Sequence, residues 1–153
     1  MHRYDQGNLG DVLAGDEIDF TASTSDGFKL LTLRATLSAS ATVANRVAHF
    51  QFVSQSGVVI HEIVAHSVQV ASAVTIYNLV GGNGANYEGS AVNDGVASLP
   101  LPDLWFPAGT LIKTKTTALD VGDKWGSVYW SALTGDEWAH LALLEEIASN
   151  IGH

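Results

Sequence analysis

The chain has 153 residues, 46% of them apolar, and carries seven Lys and Arg against sixteen Asp and Glu for a formal net charge of −9. That length predicts one domain with its own core, while the lack of cysteine excludes thiol catalysis, thiolate metal sites and a disulfide framework. The basic residues stand singly and every apolar run is far shorter than the ~20 residues of a membrane-spanning helix, so neither nucleic acid nor membrane is an expected partner.

Residues 1–27 are rich in Gly, Asp and Ser, with GNLGD, AGDE and STSDG as turn signals. They read as an extended N-terminal arm whose isolated Val12, Leu13, Ile18 and Phe20 dock on a neighbour or on the domain itself. The opening MHRYDQGNLGDV lacks the basic start and apolar run of a signal peptide, which sets the expectation of a soluble chain not secreted by that route. From Lys29 the pattern turns to alternation. In KLLTLRATLS, Leu31, Leu33, Ala35 and Leu37 share one face. A hairpin follows: Ala48, Phe50 and Phe52 share a face, SQSG turns the chain, and Val59, His61, Ile63 and Ala65 alternate with Ile60, Glu62, Val64 and His66. Next, Thr75, Tyr77 and Leu79 oppose Val74, Ile76 and Asn78 on a strand, preceded by a bend or bulge at Ala71 and Ser72. GGNGANYEGSAVNDG, residues 81–95, holds five glycines and three asparagines and reads as a flexible surface or contact loop. Three prolines then punctuate LPLPDLWFP, the turn PAG leads into a strand from Thr110 to Thr117, and a last strand places Trp125, Ser127 and Tyr129 on one face. TGDE at 134–137 has the form of a capping box, and Leu141, Leu144 and Ile147 fall at helical spacing, so a helix is expected over 136–149.

Mainly β structure in an antiparallel β-sandwich or jelly roll is therefore expected for 28–133, with the arm before it and a helical tail over 134–153. HEIVAH tests for zinc chemistry. His61 and His66 are five apart, roughly 140° on a helix and opposite faces on a strand, so they cannot chelate one ion as a local pair. A cupin-like metal site would have to draw on His49, His61 and Glu62, but Glu62 alternates away from its neighbour. No G-x-S-x-G elbow marks a nucleophile, and nothing selects a carboxylate pair among Glu62, Glu88, Asp94 and Asp103. The glycine-rich loop has no lysine of the Walker kind. The expectation is a non-enzymatic chain with no catalytic residue, metal or cofactor. Trp105, Trp125 and Trp130 leave a second reading open, a carbohydrate-binding module.

ATVANRVAHFQFVSQSGVVI and FPAGTLIKTKTTALDVGDKWGSVYW together resemble small virion structural proteins of tailed bacteriophages. Asn45, Arg46, Gly109, Gly122, Asp123 and Trp125 carry the resemblance, which spans about residues 29–131. It implies a jelly-roll-like sandwich that works by assembly: a capsid decoration or cement protein on the outer capsid surface, a homotrimer bound to the major capsid protein. Neck, fibre base and tail are other virion positions the resemblance allows. The contact residues would be Val12, Leu13, Ile18 and Phe20 of the arm, Asn86 and Tyr87 of the loop, and Trp105 and Phe106 between the prolines.

Overall fold

A computed structural model describes residues 2–81, 86–88 and 94–135. Alternation of apolar and polar residues favours strands, and the described residues form ten: β1 (His2–Gly10), β2 (Asp19–Phe20), β3 (Gly27–Ser38), β4 (Val47–Val53), β5 (Val59–Val64), β6 (Val74–Gly81), β7 (Asn86–Glu88), β8 (Gly95–Leu101), β9 (Leu111–Thr117) and β10 (Lys124–Gly135). They form a six-stranded sheet in the order β1-β10-β3-β6-β8-β7 and a four-stranded sheet in the order β2-β9-β4-β5. One hydrophobic core contains Leu33, Leu37, Tyr77, Leu79 and Trp125 from the larger sheet and Phe50, Phe52 and Ile112 from the smaller. Phe106 stacks on Phe52 at 4.4 Å between nearly parallel rings and meets Phe28 at 5.7 Å. The molecule is thus a mainly β, two-sheet sandwich. Among the described residues there is no helix, and the helix expected over 136–149 lies outside them.

Two bulges explain where simple alternation misplaces side chains. On β10, Ser127 and Val128 lie between the pairs Gly126–Thr36 and Tyr129–Arg34, against the single Ala35 on β3, and Ser127 takes φ 49°. The extra residue reverses the phase, so Trp125 and Val128 are buried while Ser127 and Tyr129 are exposed. The expected common face of Trp125, Ser127 and Tyr129 is corrected accordingly. On β3 the irregularity falls at Leu31: Ser131 pairs with Thr32 and Ala132 with Leu30. Phe28 and Leu30 therefore point inward on one side of it and Leu33, Ala35 and Leu37 on the other, leaving Leu31 half-buried.

The N-terminal segment lies against the domain itself. β1 runs antiparallel along β10 from His2–Gly135 to Gly10–Val128. Val12 N donates to Trp125 O at 3.0 Å and Gly15 N to Asp123 O at 2.7 Å. Ile18 and Phe20 are core residues. Despite its polar composition, the segment is held by backbone bonds and by Glu17. The Glu17 carboxylate accepts hydrogen bonds from the Thr114 and Thr116 hydroxyls, from the Thr116 amide and from the Trp125 indole.

Two further differences concern the stretch from 81 to 101. Asn86–Glu88 pairs with β8 as a strand inside the segment read as loop, and β8 lies parallel to β6, departing from a wholly antiparallel sheet. Pro100 sits in β8 opposite Val80 of β6. Finally Thr134, expected as a helix cap, is a buried β10 residue whose hydroxyl donates to Asp5 Oδ2 at 2.8 Å.

Candidate functional site

The histidines come first, because β4 and β5 bring them onto one hairpin. Register pairs His49 with Val64 and His61 with Phe52, three positions apart and on opposite faces. His61 turns towards the core side, its ring 6.1 Å from that of Phe52. His49 faces outward, with Nδ1 3.5 Å from Glu62 Oε1, and Gln51 Nε2 donates to Glu62 Oε2 at 2.6 Å. The Gln51 hydrogen bond, helped by His49 and Lys115, outweighs partial burial and holds the Glu62 carboxyl below its ordinary pKa. Lys115 and Thr117 complete a shallow polar depression of about 310 Å³. Two of the three candidate ligands share a face and the third does not. Among the described residues no group of three His, Cys, Asp or Glu side chains converges to hold a metal.

Of the residues that carry the sequence resemblance, Arg46, Gly109, Gly122, Asp123 and Trp125 hold the fold together. Arg46 and Asp123 form an ion pair with both side chains fully inaccessible, Nε to Oδ2 2.6 Å. Asp123 Oδ2 also accepts the Asp120 amide at 2.8 Å, and Oδ1 accepts the Ser40 amide at 2.8 Å. The Arg46 guanidinium spends its other donors on the carbonyls of Ala44 and Thr42. Burial opposes ionisation of Asp123, but the bonds from Arg46, Asp120 and Ser40 outweigh it and hold its pKa below the ordinary value. Asp120 is lowered as well, by the Ser40 hydroxyl and then the Gly122 amide. This network ties the strand-entry loop at 40–46 to the turn at 120–123. Gly109, at φ 79°, supplies the left-handed position of the PAG turn, and Trp125 is buried beneath Glu17.

Of the expected contact residues, Ile18, Phe20 and Phe106 lie in this chain's own core, where they present no surface to a partner. Their apolar character is the reason: each closes the space between the sheets. Leu13 is 76% exposed, and Val12 packs at the core's margin. Trp105 is half-buried. Asn86 and Tyr87 sit on β7, paired with Ser98 and Ala97.

A surface the sequence reading passed over lies on the smaller sheet. β5 pairs with β4 alone, so its other edge is open among the described strands. Val58, Val59, Ile60 and Val64 are exposed at 61%, 47%, 44% and 46%, with Val68 near them in sequence. The signal was present: Val58-Val59-Ile60 is a consecutive apolar run, and a strand with one buried face cannot hide all three. An open apolar edge is a ready template for association.

A comparison with protein-family models gives no match, nor does one with curated proteins. Among solved structures, that of infectious bursal disease virus Gx strain is similar at TM-score 0.38 and 9% identity, over 87% of this chain and 32% of that one. The chain thus spans about a third of the length of the chain it matches.

Proposed function

We propose that this protein is a non-enzymatic virion structural protein, a capsid decoration or cement protein that binds the outer shell of a tailed bacteriophage as a homotrimer and ties major capsid subunits together. The sequence resemblance supplies the family. The strand orders β1-β10-β3-β6 and β2-β9-β4-β5, with β7 and β8 as an addition beyond β6, support the jelly-roll reading, a fold used in capsids and lectins alike. The observation that carries the assembly role is the open β5 edge with its exposed Val58, Val59, Ile60 and Val64. Isolated apolar residues on a surface need no explanation, but a row of them along an open strand edge is costly for a lone soluble domain and useful to one that docks. Binding to the assembled lattice and not to released subunits stabilises the lattice by mass action.

The integration of β1 and of Ile18 and Phe20 into the sandwich shifts the docking role away from a detachable arm and onto this edge. The test is co-sedimentation with capsids that lack the protein, combined with its solution mass by light scattering. A trimer that pellets at a saturable copy number, and an Ile60→Lys variant that binds about tenfold more weakly, are the expected results. A monomer that stays in the supernatant, or an Ile60→Lys variant that binds as well as the parent, overturns the assignment.

A further inference from the structure

The outward face of the larger sheet carries a second feature, independent of the β5 edge. Where β1, β10 and β3 lie side by side, a cleft of about 530 Å³ opens, lined by the side chains of Tyr4, Gln6, Asn8, Thr32, Tyr129 and Ser131 among others. Register explains the grouping: Asn8 is opposite Tyr129, Gln6 opposite Ser131, and Ser131 in turn opposite Thr32. Tyr4 and Tyr129 are 58% and 50% exposed, unusual for large rings on a sheet that has a core available on its other face. Tyr4 and Asn8 are four residues apart on one strand, so the backbone positions of the two tyrosines lie roughly 13 Å from one another along the strands.

The chemistry of the lining selects a ligand class. None of the residues that line the cleft is charged, which fits neither a phosphate nor a carboxylate, and the chain's net charge of −9 opposes anions generally. What the cleft offers is two ring faces, two side-chain amides and a pair of hydroxyls, Thr32 Oγ1 and Ser131 Oγ, 2.6 Å apart. Among the described residues no protein group hydrogen-bonds the Tyr4 and Tyr129 hydroxyls or the Gln6 amide, and Asn8 uses only its Oδ1, accepting from the Gly10 amide at 2.6 Å. A pyranose presents a face of C–H groups that packs on an aromatic ring and a rim of hydroxyls that needs donors and acceptors in equal measure. The volume falls in the range of small-molecule sites, and the separation of the two tyrosines spans more than one glycosidic linkage.

We infer that the Tyr4–Tyr129 cleft is a binding site for a short neutral segment of a glycan. This goes beyond the capsid reading, since an outward-facing cleft on a docked subunit would add weak glycan affinity, multiplied by copy number. The experiment is saturation-transfer NMR on the full chain, without capsids, using lactose, maltose and N,N′-diacetylchitobiose as probes. Transfer to the ring protons of at least one of the three, weakened about tenfold by Tyr129→Ala and by Tyr4→Ala while both variants keep the parent melting curve, is the expected result. No transfer to any of the three overturns the inference, as does transfer that persists in the Tyr4→Ala/Tyr129→Ala double variant. Because no capsid is present, neither result bears on the decoration role.

Discussion

Asp123→Asn is the perturbation that probes the architecture most sharply. The substitution preserves shape and removes charge. In the parent, Oδ2 receives both Arg46 Nε and the Asp120 amide, and Oδ1 receives the Ser40 amide. Whichever way an asparagine amide turns, its NH2 faces a donor, and Arg46 is left charged, with its side chain wholly inaccessible. Breaking a buried pair by neutralising one partner costs about 3–5 kcal/mol, a large part of the roughly 5–15 kcal/mol that holds a domain folded. At about 2–4 °C per kcal/mol for a chain of this size, the melting temperature should fall by roughly 6–20 °C. Urea and thermal unfolding followed by circular dichroism measure it. An Arg46→Met/Asp123→Leu double variant, which leaves no charge behind, should lose less than Asp123→Asn does. The sign with pH follows from the lowered pKa of Asp123. Its contribution is complete above the unfolded value of about 3.9 and is lost as pH falls through the lower folded value. The parent should therefore lose stability in acid more steeply than Asp123→Asn. A loss under about 1 kcal/mol for Asp123→Asn, the range of an exposed pair, would refute the reasoning, because it would mean that water or another group solvates Arg46.

Glu17→Ala should cost about 1–3 kcal/mol, since it strands the Trp125 indole and two threonine hydroxyls. Glu17→Gln, which keeps one acceptor, should cost less, and urea melts followed by tryptophan fluorescence compare the two; equal stability of parent and Glu17→Ala would remove the latch. Gly7 faces Trp130 across β1 and β10, and an added Cβ would lie 2.5 Å from the indole Nε1. Gly7→Val should accordingly lose about 1–3 kcal/mol through overpacking, and an unchanged melt would mean that the ring swings clear without losing its 5.8 Å contact with Phe20.

How much of this was legible depended on whether the chain stays in phase. The β4–β5 hairpin, the inward set Thr75, Tyr77 and Leu79, and the strand over residues 110–117 follow simple alternation, and the structure has each in place. Bulges and backbone pairing are less visible. Nothing in the composition of residues 1–27 distinguishes a solvated arm from a segment whose amides bond to β9 and β10, because the bonds belong to the backbone and to Glu17. The candidate surfaces were partly readable: the Val58-Val59-Ile60 run announced an exposed edge, whereas the partnership of Tyr4 with Tyr129 joins residues 125 positions apart and needs the β1–β10 register.

The Ser127 bulge links fold to surface. Without an added residue on β10, Trp125 and Tyr129 would share a phase, so one of the two rings would be misplaced: either the core would lose the indole that Glu17 holds, or the outer face would lose its exposed tyrosine. The added residue resolves the conflict within five positions, burying Trp125 and Val128 and turning Tyr129 outward beside Asn8. At the bulge, Asp11 Oδ1 accepts from the Ser127 amide at 3.3 Å. Bulges of this kind re-aim side chains at functional surfaces. Here the re-aimed residue is one of the two rings of the proposed glycan cleft, so the same local irregularity completes the core on one face of the sheet and places Tyr129 on the other.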